Sequence, residues 1–216
     1  MIIEYLGHSC FRITGENGVT ILTDPYTKVG YELRTGLTAD VVTVSHEHFD
    51  HNFTQAIEGD FQILRGFGKS EIKSVEFEGI STFHDERQGC LRGKNTVFVM
   101  KIDGMTVCHF GDFGEAYNEQ LIKKLGKIDV LLLPIGGTYT IDATQAMQYV
   151  KALTPAVVIP MHYKGEDCVL DISDEKEFLR LCEGLEIENV TGKTEIFTSN
   201  ENAQTKIVFM KRERKI

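Results

Sequence analysis

Apolar residues fall in short runs broken by Gly, Asn, Asp and Pro through the first half of the chain, and a helical period enters only beyond residue 112. Residues 2–6, 10–13 and 19–23 have the pattern of short strands, with Gly15-Glu16-Asn17-Gly18 as the turn between the last two. Such close spacing predicts antiparallel hairpins. Residues 41–44 are almost continuously apolar, as in a strand buried on both faces, and lead into Ser45-His46-Glu47-His48-Phe49-Asp50-His51. Further strands are predicted over 74–77, 80–83, 97–102 and 105–110, the last two joined by a hairpin turn at Asp103-Gly104.

Past Asp112 the pattern alternates. Helices are predicted over 117–125 and 143–153, and buried strands over 129–133 and 156–159, closed by Pro134 and Pro160. Ser173 is placed to cap a third helix, with Asp174 and Glu175 in its first turn and Gly184 past its end. Strands near 194–198 and 206–210 finish the chain. Two sheets packed face to face with helices outside satisfy this order.

Composition narrows the class. A chain of 216 residues, 42% hydrophobic and without internal linker or repeat, is expected to form one domain over 1–216. With 23 Lys+Arg against 32 Asp+Glu the net charge is −9, which argues against binding of extended nucleic acid, where Lys/Arg neutralisation of phosphates supplies the affinity. The basic end, Lys211-Arg212-Glu213-Arg214-Lys215, is expected to be a solvated tail. Five cysteines without a C-x-x-C pair indicate neither a disulfide framework nor a zinc knuckle. The opening MIIEYLGHSC lacks a secretory pattern, and no apolar run approaches the roughly 18–20 residues of a membrane span. A soluble, cytoplasmic protein without membrane partners is expected.

Seven histidines stand at 8, 46, 48, 51, 84, 109 and 162, three of them in one H-x-H-x-D-H loop at the end of a predicted buried strand. Imidazole nitrogen and carboxylate oxygen suit zinc, iron or manganese, and alternation lets one loop present ligands in two directions. A dense loop cannot close two metal sites alone. His84 in STFHD, Asp112 in HFGDFG and His162 in IPMHY lie at other predicted strand ends and are candidates to complete them.

At these residues the chain resembles the metallo-β-lactamase superfamily, and within it the branch of small hydrolases similar to the L-ascorbate-6-phosphate lactonases. The resemblance runs through LGHSCF (6–11), TDP (23–25), HEHFDH, His84, RGKN (92–95), GDFG, PIGGTYT (134–140) and PMHY (160–163), about three quarters of the chain. It implies an α/β fold, a four-layer αββα sandwich with a dinuclear metal centre at one edge. By this resemblance His46, His48 and His84 hold one metal, Asp50, His51 and His162 the other, and Asp112 bridges them. Asp24 is implied to orient a ligand imidazole from behind. His8 is either a similar supporting residue or a satisfied histidine at a strand turn, and His109 is expected to be structural. Oxygen-reducing di-iron members carry glutamate where this chain keeps His48, which favours hydrolysis over redox chemistry.

Two ions about 3.5–4 Å apart share a water and acidify it, giving a hydroxide nucleophile near neutral pH. Asp50 and Asp112 are the carboxylates on which that chemistry rests. Two divalent ions, zinc first with manganese or iron as alternatives, balanced by these aspartates and one hydroxide, leave a formal charge of about +1. A small anionic substrate, a lactone, ester or phosphoester, follows. Candidate substrate contacts are Arg92 and Asn95 as grips for phosphate or carboxylate, and Gly137 and Tyr139 in a loop whose backbone N–H groups are candidates to cradle an oxyanion. The other readings are a solvated Arg92 and glycines that serve only the turn. A phosphodiesterase or nuclease, as in the transfer-RNA 3′-end endonucleases that share the motif, and a non-catalytic metal sensor are the alternative functions. A homo-oligomer is compatible with the sequence.

Overall fold

The computed structural model describes residues 1–196 and 204–213. Two mixed sheets stack over a common core. The first sheet runs, edge to edge, Lys193–Glu195, Ile2–Gly7, Cys10–Thr14, Thr20–Thr23, Val41–Val44 and Gln62–Arg65. The second runs Glu186–Thr191, Lys206–Lys211, Val157–Met161, Val130–Pro134, Met105–His109, Lys94–Ile102, Val75–Phe83 and Gly68–Ile72. Strand alternation divides the first sheet's apolar residues between two clusters. Ile3, Ile13, Ile21 and Val41 join the main core with Val97, Val107 and Leu131 of the second sheet. Leu22, Val42 and Val44 turn the other way, onto Tyr26, Val29, Leu33 and Leu37. That outer face is therefore covered by the loop after Thr23, beside a short 3-10 turn at Thr54–Ala56.

The α-helices belong to the second half. Ala143–Leu153 begins with a capping box between Asp142 and Gln145 and buries Ala146, Met147, Tyr149 and Val150 in the main core. Glu119–Leu125 is capped by the Asn118 side chain. The third helix is shorter than expected, Lys176–Leu181, with no side-chain cap. Ser173 is engaged elsewhere: its N–H donates to Gly136 O and its carbonyl accepts from Lys164 N, which delays the helix.

Several expectations are corrected. The predicted pair 74–77 and 80–83 is one strand, Val75–Phe83. Gly79 does not break it; a Cβ there would lie 2.1 Å from Gly66 O, so the glycine admits a neighbouring chain. The strands Gln62–Arg65, Gly68–Ile72 and Glu186–Thr191 were not expected. Each lies at a sheet edge and is largely exposed, so its apolar alternation is weak. The strand expected near 194–198 is seen as Lys193–Glu195; residues 197–198 and Arg214 and Lys215 lie outside the described residues. No helix among the described residues is long and apolar enough to cross a membrane.

One regularity positions the chemistry. His8, Asp24, Ser45, His84 and His162 each directly follow a strand, and Asp112 comes three residues after one. Within each sheet the strands before them run parallel to one another, and these residues meet at one edge between the sheets.

Candidate metal centre

The turns at these strand ends are sharp. His8, Asp24 and His162 have φ of 55°, 37° and 50°, a left-handed conformation sparsely used by residues other than glycine. In this geometry the chain reverses immediately after each strand.

The Asp112 carboxylate is the hub. Its Oδ1 is 3.1 Å from His51 Nε2, and its Oδ2 is 3.2 Å from both His84 Nε2 and His162 Nε2 and 3.9 Å from His46 Nε2. Around it stand two groups of ligand-type atoms, each within 4.8 Å, His46, His48 and His84, and His8, Asp50, His51 and His162, and a third group of His46, His51 and Asp112 itself joins them. His46 Nε2 and His48 Nδ1 stand 3.0 Å apart, and His8 Nε2 is 3.2 Å from Asp50 Oδ2.

The donor set fits metal ions. His51 Nε2, His162 Nε2 and Asp112 Oδ1 are buried and make no well-directed hydrogen bond although they face one another. Unpaired buried polar atoms are costly, and convergence of several on one point is what a cation relieves. Imidazole and carboxylate without thiolate is a donor set for zinc, iron or manganese.

A second layer fixes the ligands. Asp24 is fully buried; its Oδ1 accepts from Ser45 N at 2.8 Å, and its Oδ2 accepts from Ser45 Oγ at 2.6 Å and His51 Nδ1 at 2.8 Å. His46 Nδ1 in turn lies 3.0 Å from Ser45 Oγ. One carboxylate thus orients His51 directly and His46 through a hydroxyl, leaving Nε2 of both rings to face the centre. His109 is structural, as expected: Nε2 donates to Ser9 O at 2.9 Å and Nδ1 accepts from Gly111 N at 3.2 Å. The sequence signal for Ser45 is its position just before the motif.

Without metal the charges sort unequally. Burial pushes His46 well below the ordinary histidine value and His8 down to about 4. His48 is lowered too, by burial and then by His84. Burial also disfavours a charged His51, but Asp112 and Asp24 outweigh it and raise that imidazole well above the usual value. Burial would raise Asp112 and Asp24; His162 and His51 hold the first below the usual carboxylate range, and His51 holds the second.

The expected substrate contacts divide. Arg92 shares a cavity of about 450 Å³ with His46 and His48, and its guanidinium lies 5.4 Å from the ring centre of Tyr139. Asn95 is not a substrate grip. It is buried, Nδ2 donates to Thr82 Oγ1 and Phe110 O, and Oδ1 accepts from Asp112 N at 2.9 Å, so it shapes the turn that carries Asp112. Gly137 does not offer its N–H to an anion either: it donates to Ile141 O, and φ of 61° shows a glycine serving the turn. A feature not expected is Asp85, which accepts from the backbone N–H of Arg87, Gly89, Leu91 and Arg92 at 2.8–3.0 Å and so moulds the loop bearing Arg92.

Residues 2–162 match the model of the beta-lactamase superfamily domain. A metal-dependent hydrolase of Methanospirillum hungatei is 34% identical over 203 residues, covering 83% of this chain and 90% of its own length. One from Nanoarchaeum equitans is 32% identical over 217 residues, covering 88% and 95%. Among solved structures, a Thermotoga maritima protein described as a candidate zinc-dependent hydrolase of the metallo-beta-lactamase superfamily is 34% identical, with a TM-score of 0.80 over 97% of this chain and 99% of that one.

Proposed function

The chain belongs to the metallo-β-lactamase superfamily and is a metal-dependent hydrolase, and from that premise we propose that it hydrolyses a small anionic lactone, ester or phosphoester at a dinuclear centre. The observation that supports this most directly is the Asp112 carboxylate, standing between two groups of ligand atoms with one oxygen toward His51 and the other toward His84 and His162. In this reading His46, His48 and His84 hold one ion, Asp50, His51 and His162 the other, and Asp112 bridges. Zinc is the first choice, in line with the description of the Thermotoga maritima relative.

Two such ions supply Lewis acidity and an activated water. The chain's own residues do the rest. Asp24 and Ser45 keep His51 and His46 in the tautomers that present Nε2. Asn95 and His109 hold the turn before Asp112, so its carboxylate keeps its place between the two groups. His8 donates to Asp50 Oδ2 and restrains that carboxylate. Arg92, at the cavity beside His46 and His48, attracts and orients an anion. A cytoplasmic setting is part of the same proposal.

Metal analysis and a substrate panel test it. About two equivalents of a transition metal and turnover of at least one of a lactone, carboxylic ester, thioester, phosphomonoester or phosphodiester are expected. Fewer than about one equivalent after gentle purification sinks the dinuclear centre. Full loading with no turnover across the panel favours a sensing role instead.

A further inference from the structure

The cavity of about 450 Å³ beside His46 and His48 is also lined by Arg65, Phe67, Arg92 and Lys94. Phe67 is 79% exposed, so it adds little to the core. It sits at the crossover from the edge strand Gln62–Arg65 of one sheet to the edge strand Gly68–Ile72 of the other. Gly66 and Gly68 flank it with φ of 73° and 131°, backbone that glycine adopts readily and that lets this tight crossover hold the ring outward. A large apolar side chain held in water at the wall of a site-bearing cavity is available to a ligand there, since the core makes little use of it.

The cations of the same wall are not equivalent. Arg65 is paired with Glu47 at 2.8 Å. The Arg92 guanidinium and the Lys94 ammonium form no ion pair among the described residues; the guanidinium lies over the face of Tyr139. The cavity thus offers two unpaired positive charges, one free aromatic ring and the two histidines of the metal group nearest solvent. Its volume is within the range of sites that enclose a drug-sized ligand, and far beyond the roughly 30 Å³ that one water occupies. A bare anion of a few atoms would satisfy the cations and leave the ring and most of the space unused.

We infer that the substrate is an aryl anion: an aromatic group stacked on Phe67, with its phosphate or carboxylate held by Arg92 and Lys94 beside the metal centre. This rests on the hydrolase reading above and specifies its substrate class. Phe67 then sets specificity without touching the reacting atoms, and Arg92 supplies affinity common to every anionic substrate.

Phosphonates that are not hydrolysed provide the test. Methylphosphonate and phenylphosphonate are titrated calorimetrically into the metal-loaded full chain, with neutral benzyl alcohol as control. Phenylphosphonate is expected to bind about tenfold more tightly than methylphosphonate. Phe67→Ala, at an exposed position that the fold does not need, is expected to erase that ratio while leaving methylphosphonate unchanged. Arg92→Gln should weaken both ligands by a common factor and preserve the ratio. Equal affinities in the unaltered protein, or a ratio that survives Phe67→Ala, overturn the inference. So does sedimentation showing that Phe67→Ala dissociates a dimer, which would make the ring a contact between copies. The two readings fail separately: small esters turned over with no phenyl preference defeat only the aryl assignment, whereas a phenyl preference without any turnover defeats only the hydrolase.

Discussion

The two groups of ligand atoms around Asp112 are built differently. His46, His48 and His84 are three imidazoles without a carboxylate of their own, and His48 is exposed. The group of Asp50, His51 and His162 adds a carboxylate, has His51 and His162 fully or almost fully buried, and is tied to Asp24 by a direct hydrogen bond. If each group takes an ion, as proposed, negative charge and burial favour a strongly held cation in the second group, and the exposed His48 and the lack of a carboxylate favour an exchangeable one in the first. One shared aspartate does not make the halves equal.

On the proposed dinuclear reading Asp112 is shared by both halves, so Asp112→Ala should abolish hydrolysis and lower the metal content of both; an active variant would contradict the bridge. Single variants then separate the halves. His48→Gln should leave one equivalent bound, whereas His51→Gln should lower the retained metal further, because it empties the stronger position. Stepwise chelation followed by metal analysis reads this difference, and simultaneous loss of both ions would erase the contrast. A smaller effect, about 10–100-fold in metal affinity, is expected for the supporting residues. Asp24→Asn should weaken both positions and Ser45→Ala only the one served by His46.

The smallest effect is a pH signature of the metal-stripped protein. His51 has a raised folded pKa, so its contribution is present below about 6.5 and lost as pH rises through that raised value. His46 and His48 are lowered, so their contribution is present above about 6.5 and lost as pH falls toward their folded values. Asp24 and Asp112, also lowered, add stability above about 3.9 that disappears as pH falls through their folded values. Thermal midpoints of the stripped protein should therefore peak near pH 6.5. Loading with metal should flatten the alkaline side, because an ion replaces the proton on His51.

Much of this was legible in the sequence. The buried run Val41–Val44 announces the loop that follows it, and the helix Ala143–Leu153 has the expected boundaries because its cap and apolar face agree. What failed did so for physical reasons. Edge strands such as Gln62–Arg65 bury too little to show a period of two. Asn95 and Gly137 look from their residue types like anion contacts, but a side-chain amide or a loop N–H is available only if the fold leaves it unpaired, and here both are consumed internally. Beyond the place of Ser45 before the motif, it and Asp85 carry no sequence signature, because their partners are backbone groups or residues far apart in the chain.

The left-handed turns at His8, Asp24 and His162 carry a consequence for how such a chain can change. Each costs of order 1 kcal/mol or more relative to glycine, which adopts this backbone freely. Asp24 recovers this cost through its hydrogen bonds to Ser45 and His51, whereas the imidazoles of His8 and His162 leave buried nitrogens unpaired, so selection for heat resistance alone should drift toward His8→Gly and His162→Gly, and only selection on turnover should retain those two side chains. At this corner of the molecule, durability and chemistry favour different alleles.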